Sequence, residues 1–362
     1  MEFSPKNTSS FTLYIQTNSP GELTSWTGPI VKRFKELRPD SRVVILLTPC
    51  QYASGNEVEI AKKIPGVDQV HSPSQTIGKL LSFPLIQKQP GVILFLGGDP
   101  MYSQLFGLKY KIPAFAYTEH KRKPGLLFKK VFYKHVDGDL MGARVLEYQK
   151  PPEPQDPYCL FMAGSRPQHF FNLVPFYSEI ATILKQKIPD FKSILLVSPF
   201  IKDSDLVRLH NVPLEFEVLR GQSLDFISNA RFVVTIPGTN TAEAMYLRTP
   251  MLVLVPTHRP EFLILDGLGG LIGNLPLIGK WIKTGIVAYL KTRIAFFSHP
   301  NRLMQKRIVP ELVGKFSADQ VADTIQHYYQ NDAKLKEIRS GLEQISPNIE
   351  ILDKICNSIA IQ

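Results

Sequence analysis

Two α/β halves, each a parallel sheet wound with helices on both faces, are what this sequence predicts, and three observations predict them. Short β-rich runs alternate with helical patterns on both sides of one proline-rich stretch. The length, 362 residues, is too great for one ordinary domain and suits two. With 44% hydrophobic and 20% charged residues the chain is globular, which excludes a disordered protein, a coiled coil or a collagen-like repeat.

In the first half, residues 11–16 read as a strand and residues 28–37 as an amphipathic helix, with Ile30, Val31 and Phe34 inward and Lys32, Arg33 and Glu36 outward. Residues 42–47 form an apolar strand, 57–64 a short helix and 91–96 a buried strand, and 113–116 and 138–141 read as two more strands. Lys150 to Pro157 holds four prolines in eight positions and reads as a linker. A second alternation follows: strands at 158–162, 193–198, 215–219, 232–236 and 251–255, with helices at 175–187, 223–229 and 241–247. Helical patterns at 318–330 and 333–345 close the chain. The expected domains are 1–150, 151–316 and a helical tail, 317–362, whose last helix packs back toward the first domain.

Cys50, Cys159 and Cys356 are odd in number and far apart, so neither a disulfide framework nor a metal cluster is expected, and a reducing cytoplasm is. The polar first ten residues do not read as a signal peptide. The longest uncharged apolar run, Gly267 to Gly279, spans 13 residues and contains Asn274 and Pro276. It is shorter than the about 20 residues of a spanning helix. A net charge of +10 points to a phosphate-bearing partner.

The strongest motif is the run Phe232 to Met245, a buried strand followed by Pro-Gly, a hydroxyl-amide run and a helix. Gly238 with Thr239, Asn240 and Thr241 at a helix start makes an anion site from backbone N–H groups. Glu243, one turn in, is placed to accept ribose hydroxyls; the alternative is a capping box with Asn240 as cap and Glu243 at its third position. Phe161 to Pro167 repeats the pattern, with Gly164 and Ser165 at a strand end and Arg166 able to pair with a phosphate. In the first half, the loops 18–28 and 96–100 supply two acids, Glu22 and Asp99, suited to take a proton from an attacking hydroxyl. The eight histidines show no metal-ligand spacing, and H-E-x-x-H, G-x-S-x-G and G-x-G-x-x-G are all missing. Cations interleaved with apolar residues at 121–134, and the glycine-rich run with its flanks at 267–293, suit an anionic membrane surface better than a nucleic acid.

Pro-Gly-Thr-Asn-Thr-Ala-Glu-Ala at 237–244, followed by Thr249-Pro-Met-Leu-Val253, resembles the nucleotide-binding segment of the lipid-A-disaccharide synthase family. Gly164-Ser-Arg166, Ser298-His-Pro-Asn301 with Val309-Pro-Glu-Leu312, and Gly21-Glu22 resemble further family motifs in the same order. The resemblance implies a GT-B fold, two Rossmann-like domains facing across a cleft. It also implies an inverting, metal-independent glycosyltransferase moving an acylated glucosamine or related hexose from a UDP-sugar to a lipid acceptor. Such an enzyme works at the inner face of the cytoplasmic membrane. Thr239, Thr241 and Glu243 would then hold the UDP phosphates and ribose, Arg166 the diphosphate, and Asn301 and Glu311 would close the donor site. The departures fall in the acceptor half. Leu-Thr-Ser-Trp follows Glu22 where the family has Ser-Gly-Asp, and only Gly97-Gly-Asp-Pro100 represents its catalytic aspartate segment. The expected function is thus glycosyl transfer from a UDP-sugar to a lipid, without metal or other cofactor and without nucleic acid. A UDP-sugar 2-epimerase or a non-catalytic lipid- or nucleic-acid-binding relative is the alternative. The oligomeric state, the acceptor, and the choice of Asp99 or Glu22 as base are left open.

Overall fold

A computed structural model describes residues 11–362 except 51–52, 85, 87, 120–122, 149–156, 211, 213–214 and 257–294. The proline-rich linker and the 267–293 segment therefore lie outside the described residues. Contacts divide the chain into two units: Met1–Arg144 with Pro347–Gln362, and Val145–Ser346.

Unit 1 is built on six parallel strands, β1 (Thr12–Thr17), β2 (Arg42–Leu47), β3 (Gln69–His71), β4 (Gly91–Phe95), β5 (Ala114–Thr118) and β6 (Phe128–Tyr133), in the order β3-β2-β1-β4-β5-β6. Unit 2 repeats the arrangement with β7 (Tyr158–Met162), β8 (Ser193–Val197), β9 (Glu217–Arg220), β10 (Ala230–Thr235), β11 (Met251–Pro256) and β12 (Glu311–Gly314), in the order β12-β11-β10-β7-β8-β9. Counted from its own first strand, each sheet has the Rossmann order, and its strand order reverses between first and fourth strands. Those points lie at β1/β4 and at β7/β10. The central strands are buried on both faces, which is why Leu13, Ile15, Val92 and Leu94, or Leu160, Phe161, Val233 and Val234, read as unbroken apolar runs.

The structure adds β3, β12 and the helices Pro73–Leu81, Pro100–Tyr110 and His299–Met304, which the sequence reading did not name, and it changes three elements that bear on that reading. Residues 138–141 do not form a strand; Leu140–Leu146 is helical, and the sixth strand is Phe128–Tyr133, inside the basic stretch. β6 is an edge, and lysines on an edge strand discourage pairing with another chain. Its cations and the lysine that follows it meet groups of the chain itself: Lys129 donates to Gln362, Lys130 to Ser358 at 3.4 Å, and Lys134, just after the strand, pairs with Glu119 at 2.7 Å. Residues 128–133 of that stretch are therefore sheet edge. Helix Pro167–Lys187 starts eight residues before the expected start and carries Pro175 inside it. Its buried face, including Phe170, Val174, Tyr177 and Ile180, outweighs the one hydrogen bond proline forfeits.

Helices Ala318–Tyr329 and Asp332–Glu343 stay with unit 2. Glu350–Ala360 belongs to unit 1, where Ile351, Leu352, Ile355, Cys356 and Ile359 form one apolar stripe joining the core of Ile30, Val31 and Phe34. Arg33 Nε pairs with Asp353 at 2.7 Å beside it. Burial pushes the Cys356 thiol up to about 12 and raises that of Cys159, so both are packing groups. Among the described residues no helix is long and apolar enough to cross a membrane.

Candidate functional site

In unit 2 the loops after β7 and β10 emerge side by side, because those strands are parallel neighbours. Gly164 takes φ +87° and Gly238 φ +154°, conformations that glycine adopts without strain. A Cβ built on Gly238 would meet nothing within 4 Å, so the backbone there borders open space. Helix Thr239–Tyr246 begins directly after it, with Gly238 as N-cap and no side-chain cap. The capping box considered from the sequence is therefore not formed: Glu243 lies beyond the third position, buried, 3% exposed. Thr239 is exposed and Asn240 half-buried on the first turn, while Gly164, Ser165 and Arg166 are half-buried across from them. Backbone N–H groups of a helix start beside a glycine turn and an arginine make a setting for a diphosphate.

Thr241, expected to hold the nucleotide, also links two elements. Its hydroxyl donates to Gly238 O at 2.8 Å and accepts from His299 N at 3.2 Å, tying the helix start to helix His299–Met304. Asn301 and Glu311, expected to close the donor site, are hydrogen-bonded to each other. Asn301 Nδ2 donates to Val309 O at 2.9 Å and to Glu311 Oε1 at 2.8 Å, and its Oδ1 accepts from Ile308 N and Val309 N. Glu311 Oε1 also accepts from Ser298 N at 2.7 Å and Ser298 Oγ at 2.6 Å, and both its oxygens receive Phe297 N at 3.1 Å. Through these bonds the pair braces the segment 297–301 and, through His299, Thr241.

In unit 1 the strand ends at β1, β2 and β4 meet at the other reversal point. Glu22 Oε2 accepts from Thr17 Oγ1 at 2.9 Å, Asn18 N at 3.1 Å and Ser19 N at 3.2 Å, and Ser19 and Glu22 form a capping box. Burial raises the Glu22 pKa above the ordinary value, only partly offset by those hydrogen bonds. A Cβ on Gly97 would fall 2.0 Å from the Glu22 carboxyl, and one on Gly98, at φ +87°, 2.5 Å from Thr48 Oγ1. Thr48 is 2% exposed and its hydroxyl has no hydrogen-bond partner among the described residues. Gln16 Nε2 holds the turn by donating to Gly97 O and Asp99 O. Asp99 itself is exposed and caps helix Pro100–Tyr110 through Met101 N at 2.9 Å. Sequence reasoning missed Gln16 and Thr48; a glutamine inside an apolar strand was the available signal.

Helix Leu23–Thr27 widens to π-helical turns between Pro20–Glu22 and Gly28–Leu37. Pro29 explains the widening, since its ring would clash with the carbonyl four residues back in regular α-helix.

Solved structures share this two-unit α/β architecture, that of GT-B glycosyltransferases. A UDP-GlcNAc 2-epimerase from Neisseria meningitidis, bound to UDP-GlcNAc, superposes with a TM-score of 0.56 at 13% identity, covering 97% of this chain and 100% of its own. CalG4, the calicheamicin glycosyltransferase, gives 0.54 at 11% identity over 97% and 98%. At such identities the likeness defines the fold alone. Residues 146–266 match the sequence profile of the lipid-A-disaccharide synthetase family, a stretch holding both glycine turns. A lipid-A-disaccharide synthase from Idiomarina loihiensis is 24% identical over 200 residues, 53% of this chain and 46% of its own length. That from Helicobacter acinonychis is 30% identical over 105 residues, 29% of each. The chain thus spans less than half the length of these relatives. The resemblance read from the residues holds, and the profile places it in unit 2.

Proposed function

We propose that this chain is a glycosyltransferase that binds a UDP-sugar at the β7/β10 end of unit 2 and transfers the sugar to a lipid hydroxyl. The observation that carries the reading is the pair of left-handed glycine turns at adjacent strand ends, one bordered by open space and a helix start. It sits where a Rossmann sheet reverses and inside the stretch similar to lipid-A-disaccharide synthases. Arg166 and the first-turn N–H groups of helix Thr239–Tyr246 stabilise the charge that develops on the departing diphosphate, without a metal ion. Glu243 orients the ribose.

Of the two candidate acids, Glu22 suits the role of base better than the exposed helix cap Asp99. The raised pKa of Glu22 brings it closer to the working pH, which is what proton removal from a hydroxyl demands. The lipid acceptor and an anionic membrane surface follow from the resemblance and the net charge of +10. The test is turnover of a UDP-sugar panel in chelator, with and without lipid acceptors in detergent. Release of UDP that requires lipid supports the reading. Conversion to a 2-epimer without lipid identifies an epimerase instead.

A further inference from the structure

Where helix Pro73–Leu81 covers one edge of the first sheet, positive charge collects from three elements. Val44 on β2 lies opposite Gln69 on β3, and Leu46 opposite His71, so Arg42, Gln69 and His71 project from one face of the pleat. Helix Pro73–Leu81 lies on that face, since its Leu80 packs with Tyr14, Val44 and Leu46. Burial, then Lys79 of the helix and Arg42 of the strand, lowers the His71 pKa. Burial, then Arg42 and Lys109, lowers that of Lys79. His71, Arg42, Lys79 and Lys109 are thus near enough for each to disfavour a neighbour's charge.

Little in the chain offsets this. Among the described residues Lys79 has no ion pair. Lys109 Nζ donates to the carbonyls of Leu80 and Ser82. Arg42 Nη2 donates to Gln69 Oε1 at 2.6 Å, which holds the guanidinium at the sheet edge. Asp68, whose carboxylate feels Arg42, is taken by Lys35 at 2.9 Å and Val43 N at 2.7 Å. Tyr14, which Arg42 also reaches, donates its hydroxyl to Gln89 at 2.7 Å. Two buried polar atoms of the same strand and helix lack a hydrogen-bond partner among the described residues: His71 Nε2, on a residue 8% exposed, and Thr76 Oγ1, on one 1% exposed. Stranded polar atoms cost stability, and so do like charges held together; one bound anion relieves both His71 and the cations.

We propose that this edge of unit 1, between β2, β3 and helix Pro73–Leu81, binds a phosphate dianion, as inorganic phosphate or as the monoester of a small metabolite. Arg42 offers a planar pair of N–H donors, Lys79 an ammonium on a flexible stem, and His71, once protonated, a donor from the buried side. A carboxylate carries one charge and accepts in one plane, whereas a phosphate carries nearly two and accepts from several directions, which matches donors arriving from a strand edge, a helix and a buried ring. β3 is the edge strand and lies two strand spacings, roughly 10 Å, from β1. A ligand here therefore leaves the crevice at Glu22 free, and the nucleotide turns belong to the other unit. The inference stands on unit 1 alone and does not rest on the glycosyl-transfer reading.

The test titrates the full chain with inorganic phosphate and, separately, glycerol 3-phosphate at constant ionic strength, reading the His71 imidazole by NMR with His71→Gln to assign it. Saturable binding is expected, with the His71 pKa raised by about one pH unit or more as the anion arrives. Lys79→Met and, separately, Arg42→Met are expected to weaken that binding about tenfold or more. In chloride alone Lys79→Met should melt no lower than wild type, because it removes a repelling charge and breaks no ion pair. Tighter binding of the ester assigns the site to monoesters, tighter binding of phosphate to the free ion, and either supports the proposal. Three results overturn it: a His71 signal that neither anion moves, variants that bind like wild type, or an equal response to chloride at matched ionic strength, which is screening rather than binding.

Discussion

Replacing Glu311 by alanine separates a brace from a ligand contact. In the folded chain its carboxylate receives Phe297 N, Ser298 N, Ser298 Oγ and Asn301 Nδ2, the bonds lying between 2.6 and 3.1 Å. After truncation the serine hydroxyl can rotate to another acceptor, and the Asn301 amide keeps its bond to Val309 O. The two backbone N–H groups of 297 and 298 are left stranded, Ser298 being fully buried. A stranded buried donor costs about 1–3 kcal/mol, which puts the loss near 3–4 kcal/mol with the packing of the removed side chain. For a unit of this size that is a fall of about 10 °C in its melting transition, read by scanning calorimetry. UDP affinity is expected to weaken only a few-fold, through Thr241, whose hydroxyl receives His299 N. An unchanged transition together with abolished UDP binding would refute the reasoning, because Glu311 would then be touching the nucleotide rather than supporting the segment around it.

Other substitutions probe the remaining joints. Gly97→Ala drives a Cβ into the Glu22 carboxyl that three donors pin, so it should abolish transfer while leaving UDP affinity within about twofold by calorimetry. Because the folded pKa of Glu22 lies above its unfolded value, the unfolded chain releases this proton first as pH rises. The Glu22 contribution to stability is complete below the ordinary carboxyl range and falls as pH climbs through the raised value. Glu22→Gln should flatten that slope in denaturant titrations and remove the acid limb of the rate profile, whereas Asp99→Asn, which keeps a capping side chain, should do neither. Ile355→Ala, at a fully buried position, should cost about 2–5 kcal/mol in unit 1 and raise hydrogen exchange in helix Glu350–Ala360. Exchange that stays slow would show that the stripe does not hold this helix in place.

Much of the fold could be read because buried parallel strands advertise themselves as unbroken apolar runs, and β1, β2, β4, β7, β8, β10 and β11 all do. β6 was missed because Lys129 and Lys130 interrupt it, and the helix through Pro175 was cut short because local proline chemistry yields to a buried face. The glycines of the candidate site were legible for a physical reason: turns at strand ends that need φ above zero leave glycine as a visible trace. Asn301 and Glu311 were legible as polar residues but not as partners, since whether two such side chains meet a ligand or each other depends on the distance between a helix and a strand ten residues apart. The exposed face of helix Pro100–Tyr110 was invisible for a related reason. Its apolar residues look like core until the structure shows which of them nothing covers among the described residues.

Calorimetric titration of the chain with UDP in the presence of chelator tests the central claim most directly. Saturable binding in the micromolar range is expected, lost in Glu243→Ala and weakened at least about tenfold in Gly238→Ala, where a side chain strains the turn. Absence of detectable binding, or binding that both variants leave intact, would contradict it.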